Sequence, residues 1–331
     1  MDFQLSDDQR ALRSGMRDLL DAVFDRDRMR AAVERGGPLD RSLWRELGAA
    51  GFFALRLPEE AGGVGLGLPE AVLLFEEAGR ALLPGPLVAT HLAAGLVKGA
   101  AEGEAVVTAV DGDLLVAHLA EADAVLVGAD ALAGEPLRAF VAAARPVRSM
   151  DPLTPLHRVA GRTAPTEAYS GALHYEGALL TAAEQLGSAA RTTETAVQHA
   201  GDREQFGSPI GSFQAVKHLC ADMLARTEPA RAAVYAAAVT GDPVEIAAAK
   251  LLADEAAVRN ARDCLQIHGG MGFTWEADVH LHLKRAWLRS AARLGGAAAE
   301  ELLAAGLGAA RPYPGSSAAS GRGTPEAGGG G

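Results

Sequence analysis

The sequence predicts a mainly α-helical protein with a small β region in the middle of the chain. Hydrophobic residues make up 49% of its 331 positions and aromatic residues only 5%, with Ala and Leu dominant, which suits helices packed through small side chains. Apolar residues recur at helical spacing on both sides of residues 104–169. Within that interval, valines and prolines favour short strands. A chain of this length exceeds a single ordinary domain, so we expect several units.

The first unit, residues 1–103, is expected to be helical. Ser6 and Gln9 have the spacing of a capping box, and the apolar residues after them repeat with the helical period. Glycine and proline between Leu57 and Gly65 predict a loop. Three further helices are predicted: around Leu39 to Ala50, from Pro69 to Arg80 and from His91 to Val97.

The middle unit, residues 104–169, is expected to contain a few short strands. Asp111-Gly112 lies between two apolar, β-branched stretches, which is the pattern of a β-hairpin. Prolines break the intervals that follow. Two more strands are predicted: Ala124 to Val127 and Val147 to Met150.

The third unit, residues 170–307, is expected to be a bundle of long helices joined by short loops. Residues 308–331 are rich in Gly, Ser, Ala and Pro, and they cannot bury enough apolar area to offset the entropy of ordering. We expect a disordered tail there. Four helices are predicted in the bundle: Leu179 to Gly201, Gly207 to Arg226, Val244 to Gln266 and Asp278 to Leu303.

Composition excludes several functional classes. The formal net charge of -11 opposes binding to nucleic-acid phosphates. Cys220 and Cys264 lie in helical patterns and imply no disulfide framework. The N-terminus lacks the features of a secretion signal and no apolar run is long enough for a membrane span, so a cytoplasmic protein is expected. Five histidines lack metal-ligand spacing and are expected to be solvated or hydrogen-bonded: His199, His218, His268, His280 and His282.

Residues 202–214 interrupt the helical pattern with side chains that suit a nucleotide. Arg203 can hold a phosphate through two hydrogen bonds, Phe206 can pack on a flat heterocycle, and a glutamine can bond the edge of a base. Spacing alone favours an ordinary turn between helices, in which Phe206 would lie in the core and Arg203 in solvent.

A second segment, residues 266–276, is rich in glycine. Gly269, Gly270 and Gly272 allow the backbone to approach a ligand such as a pyrophosphate closely. The segment is not the GxGxxG fingerprint, and no predicted strand precedes it. The alternative is a helix C-cap followed by an ordinary loop.

Together the two segments resemble the C-terminal domain of acyl-CoA dehydrogenases. They read R-x-Q-F-G-x-P-I-x-x-F-Q from residue 203 and Q-I-H-G-G-x-G-F-T-x-E from residue 266. The opening M-D-F-x-L-S and the loop L-P-E-E-A-G-G at residues 57–63 agree with the family. The resemblance covers residues 1–305 and is weakest in the middle. It implies a helical N-terminal domain, a β middle domain and a C-terminal four-helix bundle in a tetramer.

The resemblance also implies a cofactor, a substrate and partners. In the family these two motifs reach the diphosphate and adenosine part of an FAD that is held mainly by a neighbouring subunit. The substrate is an acyl-CoA, and an electron-accepting flavoprotein reoxidises the enzyme. The positions here that the resemblance assigns to FAD are Arg203, Gln205, Phe206, Gln214, Gln266, Gly269 and Gly270.

The expected catalytic base is missing. Members of the family use a carboxylate to take a proton from the α carbon of the thioester. At the usual position of that glutamate this chain has Arg293, which stays protonated and cannot accept a proton. Other members place the base where this chain has Gly177. Its neighbour Glu176 would point elsewhere, because one residue turns a helical side chain by about 100°. Glu184 is expected to be an ordinary helix residue.

The middle unit departs from the family as well. Active members carry a T-E-P-x-x-G-S segment and a tryptophan-containing strand that hold the flavin ring and the thioester. Neither occurs in residues 104–169, and Thr166-Glu167 and Thr324-Pro325-Glu326 are echoes in other places. The three tryptophans all lie outside the interval: Trp44, Trp275 and Trp287.

The chain therefore resembles the small, non-catalytic type of subunit of actinobacterial heterotetrameric (α2β2) acyl-CoA dehydrogenases, which act on steroid side-chain CoA esters. A larger partner subunit would supply the glutamate and most of the flavin pocket. One alternative is a self-sufficient homo-oligomeric enzyme that uses Glu176. Another is a scaffold subunit without flavin, although the intact Arg203 and Gln266 argue against it.

Overall fold

The computed structural model describes residues 4–110, 115–159 and 171–309. In these residues helices dominate and the few strands are short, which confirms the predicted fold class. None of the described helices is both long and apolar enough to cross a membrane. The N-terminal helices and the C-terminal bundle share one hydrophobic core, which includes Phe75 of the former and Leu186 of the latter.

The N-terminal helices follow the prediction with two differences. The capping box is confirmed, since Ser6 Oγ accepts from the Gln9 amide and Gln9 Oε1 accepts from the Ser6 amide, both at 3.1 Å. The second helix was not predicted because only two of its residues, Met29 and Ala32, are buried. The helices are α1 (Asp7–Val23), α2 (Arg26–Glu34), α3 (Arg41–Ala49), α4 (Leu68–Arg80) and α5 (Leu87–Leu92).

The prediction of a helix from His91 to Val97 is wrong in its bounds. Helix α5 begins directly after Pro86, whose fixed φ suits the start of a helix, and it ends at Leu92. Turns occupy the residues that follow, up to Gly99 with its φ of 84°. Glycine in a left-handed conformation does not continue a helix.

The described residues of the middle region form two three-stranded sheets and one α-helix. The sheets have the strand orders β1-β3-β4 and β2-β6-β5. Strand β1 pairs in parallel with β3, and β5 pairs with β6 antiparallel. The elements are β1 (Val107–Ala109), β2 (Leu115–Ala117), β3 (Ala124–Val127), β4 (Asp130–Ala133), α6 (Gly134–Ala142), β5 (Ala144–Val147) and β6 (Leu156–Val159).

The predicted hairpin around Asp111-Gly112 is wrong, because β1 and β2 lie in different sheets. Val107 on β1 is buried in one apolar cluster and Val116 on β2 in another, so burial separates the two strands. Asp111-Gly112 itself lies outside the described residues. The strand predicted at 147–150 is also displaced, since β5 ends at Val147 and carries Pro146 on the edge of its sheet.

The C-terminal region is a bundle of long helices, as predicted. A two-residue strand pair connects its first two helices. The elements are α7 (Ala172–Asp202), β7 (Glu204–Gln205), β8 (Ser208–Pro209), α8 (Gln214–Thr240), α9 (Pro243–His268), α10 (Val279–Ala291) and α11 (Gly296–Ala309).

The prediction of a single helix from Asp278 to Leu303 is wrong, because the helix is interrupted between α10 and α11. Arg293 and Leu294 have φ values of 41° and 57°, a left-handed conformation that ends a right-handed helix. Helix α11 extends to Ala309, two residues into the segment predicted as a tail. The remainder of that segment, and Thr166-Glu167, lie outside the described residues.

Helices α4 and α7 approach almost to backbone contact. A Cβ atom on Gly187 would lie 1.8 Å from the carbonyl oxygen of Glu76, and one on Gly79 would lie 1.9 Å from the carbonyl oxygen of Glu184. Only glycine fits at both positions. This contact fixes the N-terminal half of α7 against the N-terminal helices.

Two buried histidines make the stability of the fold dependent on pH. Burial, together with nearby arginines, lowers the pKa of His282 to about 3, and burial lowers the pKa of His91 to about 4. Their pKa in the unfolded chain is about 6.5, so the unfolded state binds more protons below that pH. We expect the free energy of unfolding to fall below pH 6.5, by up to about 1.4 kcal/mol per pH unit for each histidine.

Urea titrations from pH 7.5 to pH 5 check this expectation. His282→Asn should reduce the slope below pH 6.5 by close to one proton, because Ser188 Oγ, 2.8 Å from His282 Nδ1, can bond an amide instead. An equal slope in the His282 variant and the unmodified protein would contradict the assignment.

Candidate functional site

The first motif forms a short hairpin at the end of α7. Phe206 and Gly207 connect β7 to β8 with φ values of 54° and 78°, the left-handed pair that a tight two-residue hairpin turn requires. The Phe206 ring is therefore held at the tip, where it is 94% exposed, with the ring of Phe213 6.1 Å away, centroid to centroid. Arg203 caps α7 and is exposed.

The second motif lies at the end of α9. Gln266 is exposed in the last turn, and the chain leaves the helix at Gly269, which has a φ of 60°. Cβ atoms placed on Gly269 or Gly270 would meet nothing within 4 Å. This backbone is therefore accessible to a ligand or to another subunit, although the motif also forms the helix C-cap that was the alternative interpretation.

The fold brings the two motifs together. The ring of His199, one turn before Arg203, stacks on the ring of His268 with 4.0 Å between centroids and 15° between planes. Gln205 and Gln214 are exposed beside the hairpin. We call the seven predicted residues of these motifs, with the two histidines, the nucleotide surface.

Large apolar side chains are exposed in the nucleotide surface and in the segment that follows Gly270. Phe206 is 94% exposed, Phe273 75% and Trp275 60%. The interpretation that placed Phe206 in the core of a helix–helix turn is therefore wrong for this chain. Exposed aromatic side chains grouped at one end of a bundle are typical of a surface that another molecule covers.

The two positions that the resemblance associates with a catalytic base lie against each other. Arg293 follows α10, and its Nη1 would lie 2.4 Å from a Cβ atom placed on Gly177 in α7. The guanidinium therefore occupies the space that a side chain at position 177 would need. Neither position offers a carboxylate.

Glu176 is directed elsewhere and is bound by another residue. Arg56 Nη1 donates to its Oε2 at 2.6 Å, and both side chains are about one quarter exposed, at 29% and 25%. The cavity described next does not include it. Its geometry gives no support to a role as a relocated base.

A cavity of about 180 Å³ lies between α5, strands β1 and β2, and helices α7 and α10. Glu184 lines it together with Arg285, Arg289 and Arg293. Glu184, which the sequence presents as an ordinary helix residue, is buried, and Arg289 Nη2 donates to its Oε1 at 2.5 Å. Burial raises the pKa of the Glu184 carboxyl, against the opposing effect of the arginines.

The sequence carries a signal for this cluster that its motifs did not reveal. Arg285, Arg289 and Arg293 are spaced four residues apart, so the first two lie on one face of α10. The face of α10 that carries these two arginines is buried, and most of its other residues are apolar. Three cations at helical spacing in a buried helix indicate a charged cluster.

The described residues do not form a metal site. No group of three or more His, Cys, Asp or Glu side chains in those residues is arranged to hold a metal ion. His282 is buried against Ser188, and His199 stacks on His268.

Comparison with known proteins identifies two domains of one family. Residues 6–102 match the N-terminal domain of acyl-CoA dehydrogenases, and residues 169–299 match the C-terminal domain. The interval between these matches contains most of the middle region, where the sequence resemblance is weakest.

Similar proteins come from mycobacteria. The chain is 39% identical over 270 residues to the acyl-CoA dehydrogenase IpdE2 of Mycobacterium tuberculosis, covering 78% of this chain and 84% of the relative. The protein of the same name from Mycolicibacterium smegmatis is 37% identical over 296 residues, covering 85% of this chain and 93% of the relative.

Solved structures show the same fold. The ChsE4-ChsE5 complex of Mycobacterium tuberculosis contains a chain with a TM-score of 0.80 and 25% identity, covering 94% of this chain and 100% of that one. A structure described as the Tcur3481-Tcur3483 steroid ACAD has a TM-score of 0.76 and 24% identity, covering 91% and 99%. This chain belongs to the acyl-CoA dehydrogenase family, whose members are FAD-dependent oxidoreductases acting on CH–CH bonds.

Proposed function

We propose that this chain is a subunit of a heteromeric, FAD-dependent acyl-CoA dehydrogenase that desaturates an acyl-CoA between its α and β carbons. In this proposal the chain binds the diphosphate and adenosine part of an FAD, and a larger partner subunit holds the flavin ring and supplies the base. The observation that carries the proposal is that Arg293 and Gly177 occupy both base positions and pack against each other, while the nucleotide surface is intact and exposed.

The nucleotide surface fits its proposed ligand. Arg203 offers N–H groups for a diphosphate, and Phe206 offers a flat apolar face to the adenine or to the partner subunit. The open backbone at Gly269 and Gly270 allows phosphate oxygens to approach. Since both motifs lie on the outside of the chain, an FAD bound there would be shared with a neighbouring subunit.

The described residues offer no good substitute for the base within this chain. Of the two carboxylates near the base positions, Glu176 is held by Arg56 and Glu184 by Arg289. FAD, when bound, supplies the hydride acceptor for the β carbon. The α proton must then be removed by a partner's carboxylate.

The partner and the substrate class are supported by similar proteins. One structure with this fold is a complex of ChsE4 with ChsE5, and another is described as a steroid ACAD. We therefore take a second acyl-CoA dehydrogenase chain as the partner and a steroid side-chain CoA ester as the first acyl group to test.

Purification of the chain alone, and after co-expression with candidate partner chains of the same family, tests the proposal. We expect the chain alone to be colourless and inactive, and the complex to carry FAD that an acyl-CoA bleaches under anaerobic conditions. Yellow, active protein from this chain alone, made inactive by Glu176→Gln, would instead establish a homo-oligomeric enzyme. An active complex in which the variants of the nucleotide surface retain all their FAD would establish a scaffold.

Arg203→Ala is expected to weaken FAD binding by the complex about tenfold to a hundredfold, because a hydrogen bond to a charged group contributes about 1.5–3 kcal/mol. Fluorescence of released FAD during dialysis measures this. The matched control is Arg138→Ala, which removes an exposed guanidinium from α6 in the middle region. Equal FAD retention in both variants would exclude Arg203 from the cofactor site.

A further inference from the structure

The cavity between α5, α7 and α10 has one apolar part and one cationic part. Its volume is about 180 Å³. The apolar walls come from α5, β1, β2, β6 and α10: Leu87, Val88, Ala109, Leu115, Leu156 and Leu288. Its charged residues among those described are Glu184 and three arginines, Arg285, Arg289 and Arg293. Glu184 pairs with Arg289, and Asp151 outside the lining pairs with Arg285.

Two of these buried guanidiniums have N–H groups without a hydrogen-bond partner among the described residues. Arg289 donates to Glu184 through Nη2, but its Nη1 has no hydrogen-bond partner among the described residues. Arg285 binds Asp151 through Nε and the Leu83 carbonyl through Nη1, at 3.0 Å for the latter, and its Nη2 has none in the same part of the chain. Both side chains are at least nine-tenths buried, with 10% exposure for Arg289 and 4% for Arg285.

A buried donor without a hydrogen-bond partner lowers the stability of the folded protein, and a bound anion would remove this penalty. A buried donor that makes no hydrogen bond loses its interaction with water without compensation, and more so when it carries charge. Burial lowers the pKa of Arg289 to about 10, which still leaves it protonated at neutral pH. A ligand oxygen within reach of Arg289 Nη1 and Arg285 Nη2 would satisfy both groups.

We propose that the cavity binds a small organic carboxylate with an aliphatic tail, with the carboxylate on Arg289 and Arg285 and the tail against the leucine walls. The site is distinct from the nucleotide surface, because Glu184 and Arg203 are separated along α7 by about 28 Å at 1.5 Å per residue. The ligand is not a substrate for oxidation. The inference goes beyond the proposed function and is independent of it.

Calorimetric titration of the full-length chain, as purified, with sodium octanoate tests this site. We expect saturable binding of one octanoate per chain. Octan-1-ol and octylamine share the tail but lack the carboxylate, and acetate lacks the tail, so each should bind at least tenfold more weakly. If octanol binds as tightly as octanoate, the guanidiniums do not recognise the ligand and the proposal is wrong.

Two variants locate the binding. Ala109→Phe fills the apolar part from a half-buried position on β1 and should weaken octanoate binding at least tenfold without a change in melting temperature. Arg289→Gln should weaken it as much, although the loss of the Glu184 ion pair also lowers stability. Unchanged binding in Ala109→Phe would place octanoate outside this cavity and overturn the assignment.

A carboxylate ligand must also be distinguished from a thioester. Octanoyl-CoA carries the same tail without a free carboxylate. In the same calorimetric titration we expect it to bind at least tenfold more weakly than octanoate. Tighter binding of octanoyl-CoA would mean that the cavity still accepts acyl-CoA, which contradicts the proposal. Because the assay requires neither FAD nor a partner, its outcome does not depend on the redox role of the chain.

Discussion

Gly187→Ala is expected to destabilise the protein by about 3 kcal/mol, the upper end of the usual range for overpacking. Its new methyl group would lie 1.8 Å from the carbonyl oxygen of Glu76, and a backbone atom cannot move aside as a side-chain end can. Helix α7 must then separate from α4, with loss of packing along the shared core. Urea unfolding followed by far-UV circular dichroism measures the change.

Gly15→Ala is the matched control. Gly15 lies within α1, and a Cβ atom placed there would meet nothing within 4 Å. Alanine is favoured over glycine inside a helix by about 0.8–1 kcal/mol, so this variant should be slightly more stable than the unmodified chain. Loss of stability of the same size in both variants would show that helix contact is not the cause.

Lys250→Met is expected to cost about 3–5 kcal/mol, because it leaves the buried carboxylate of Asp254 without its cation. The Lys250 side chain is 0% exposed and binds Asp254 and the Arg289 carbonyl, the latter at 3.1 Å. Burial already raises the pKa of the Asp254 carboxyl, even with Lys250 beside it. Denaturant titration at pH 7 gives the loss.

The double variant Lys250→Met/Asp254→Leu distinguishes an unpaired charge from lost packing. With both charges gone, most of the stability should return, since apolar residues of similar volume often replace a buried ion pair at little cost. Gln185 Nε2 would keep its 3.0 Å bond to the Ala286 carbonyl. A double variant as unstable as Lys250→Met would show that Lys250 acts through packing or its carbonyl bond instead.

The helical parts of the fold were predictable because their signals are local. The capping box at Ser6 and the long apolar periods of α7 and α9 follow from side-chain chemistry and spacing within a few turns. The break after α10 was missed since Arg293 and Leu294 carry no glycine or proline signature, although they adopt a left-handed backbone. Glycines at 295 and 296 follow the break rather than form it.

The middle region could not be predicted in the same way. Strands of three or four residues contain too few side chains to define a partner, and Val107 and Val116 are separated by burial in different clusters. Pairing β1 with β3 depends on contacts that are distant in sequence. The local sequence pattern therefore predicted a hairpin, but tertiary packing places β1 and β2 in different sheets.

The candidate site was predictable in part. The two sequence motifs placed the residues predicted to contact FAD at the ends of two helices. The fold brings those ends together, with the rings of His199 and His268 stacked between them. Whether Phe206 was a core residue or an exposed one could not be decided from spacing, since both fit a turn after a helix. The arginine-lined cavity depends on which atoms remain unpaired, and that is visible only in three dimensions.

The contact between Arg293 and Gly177 makes the two positions epistatic. Any side chain introduced at 177 would displace the guanidinium, whose Nη1 is 2.4 Å from the site of the new Cβ atom. What evolution can place at one position therefore depends on what already stands at the other. A variant that carried an acid at 177 would require the arginine at 293 to move or to be replaced.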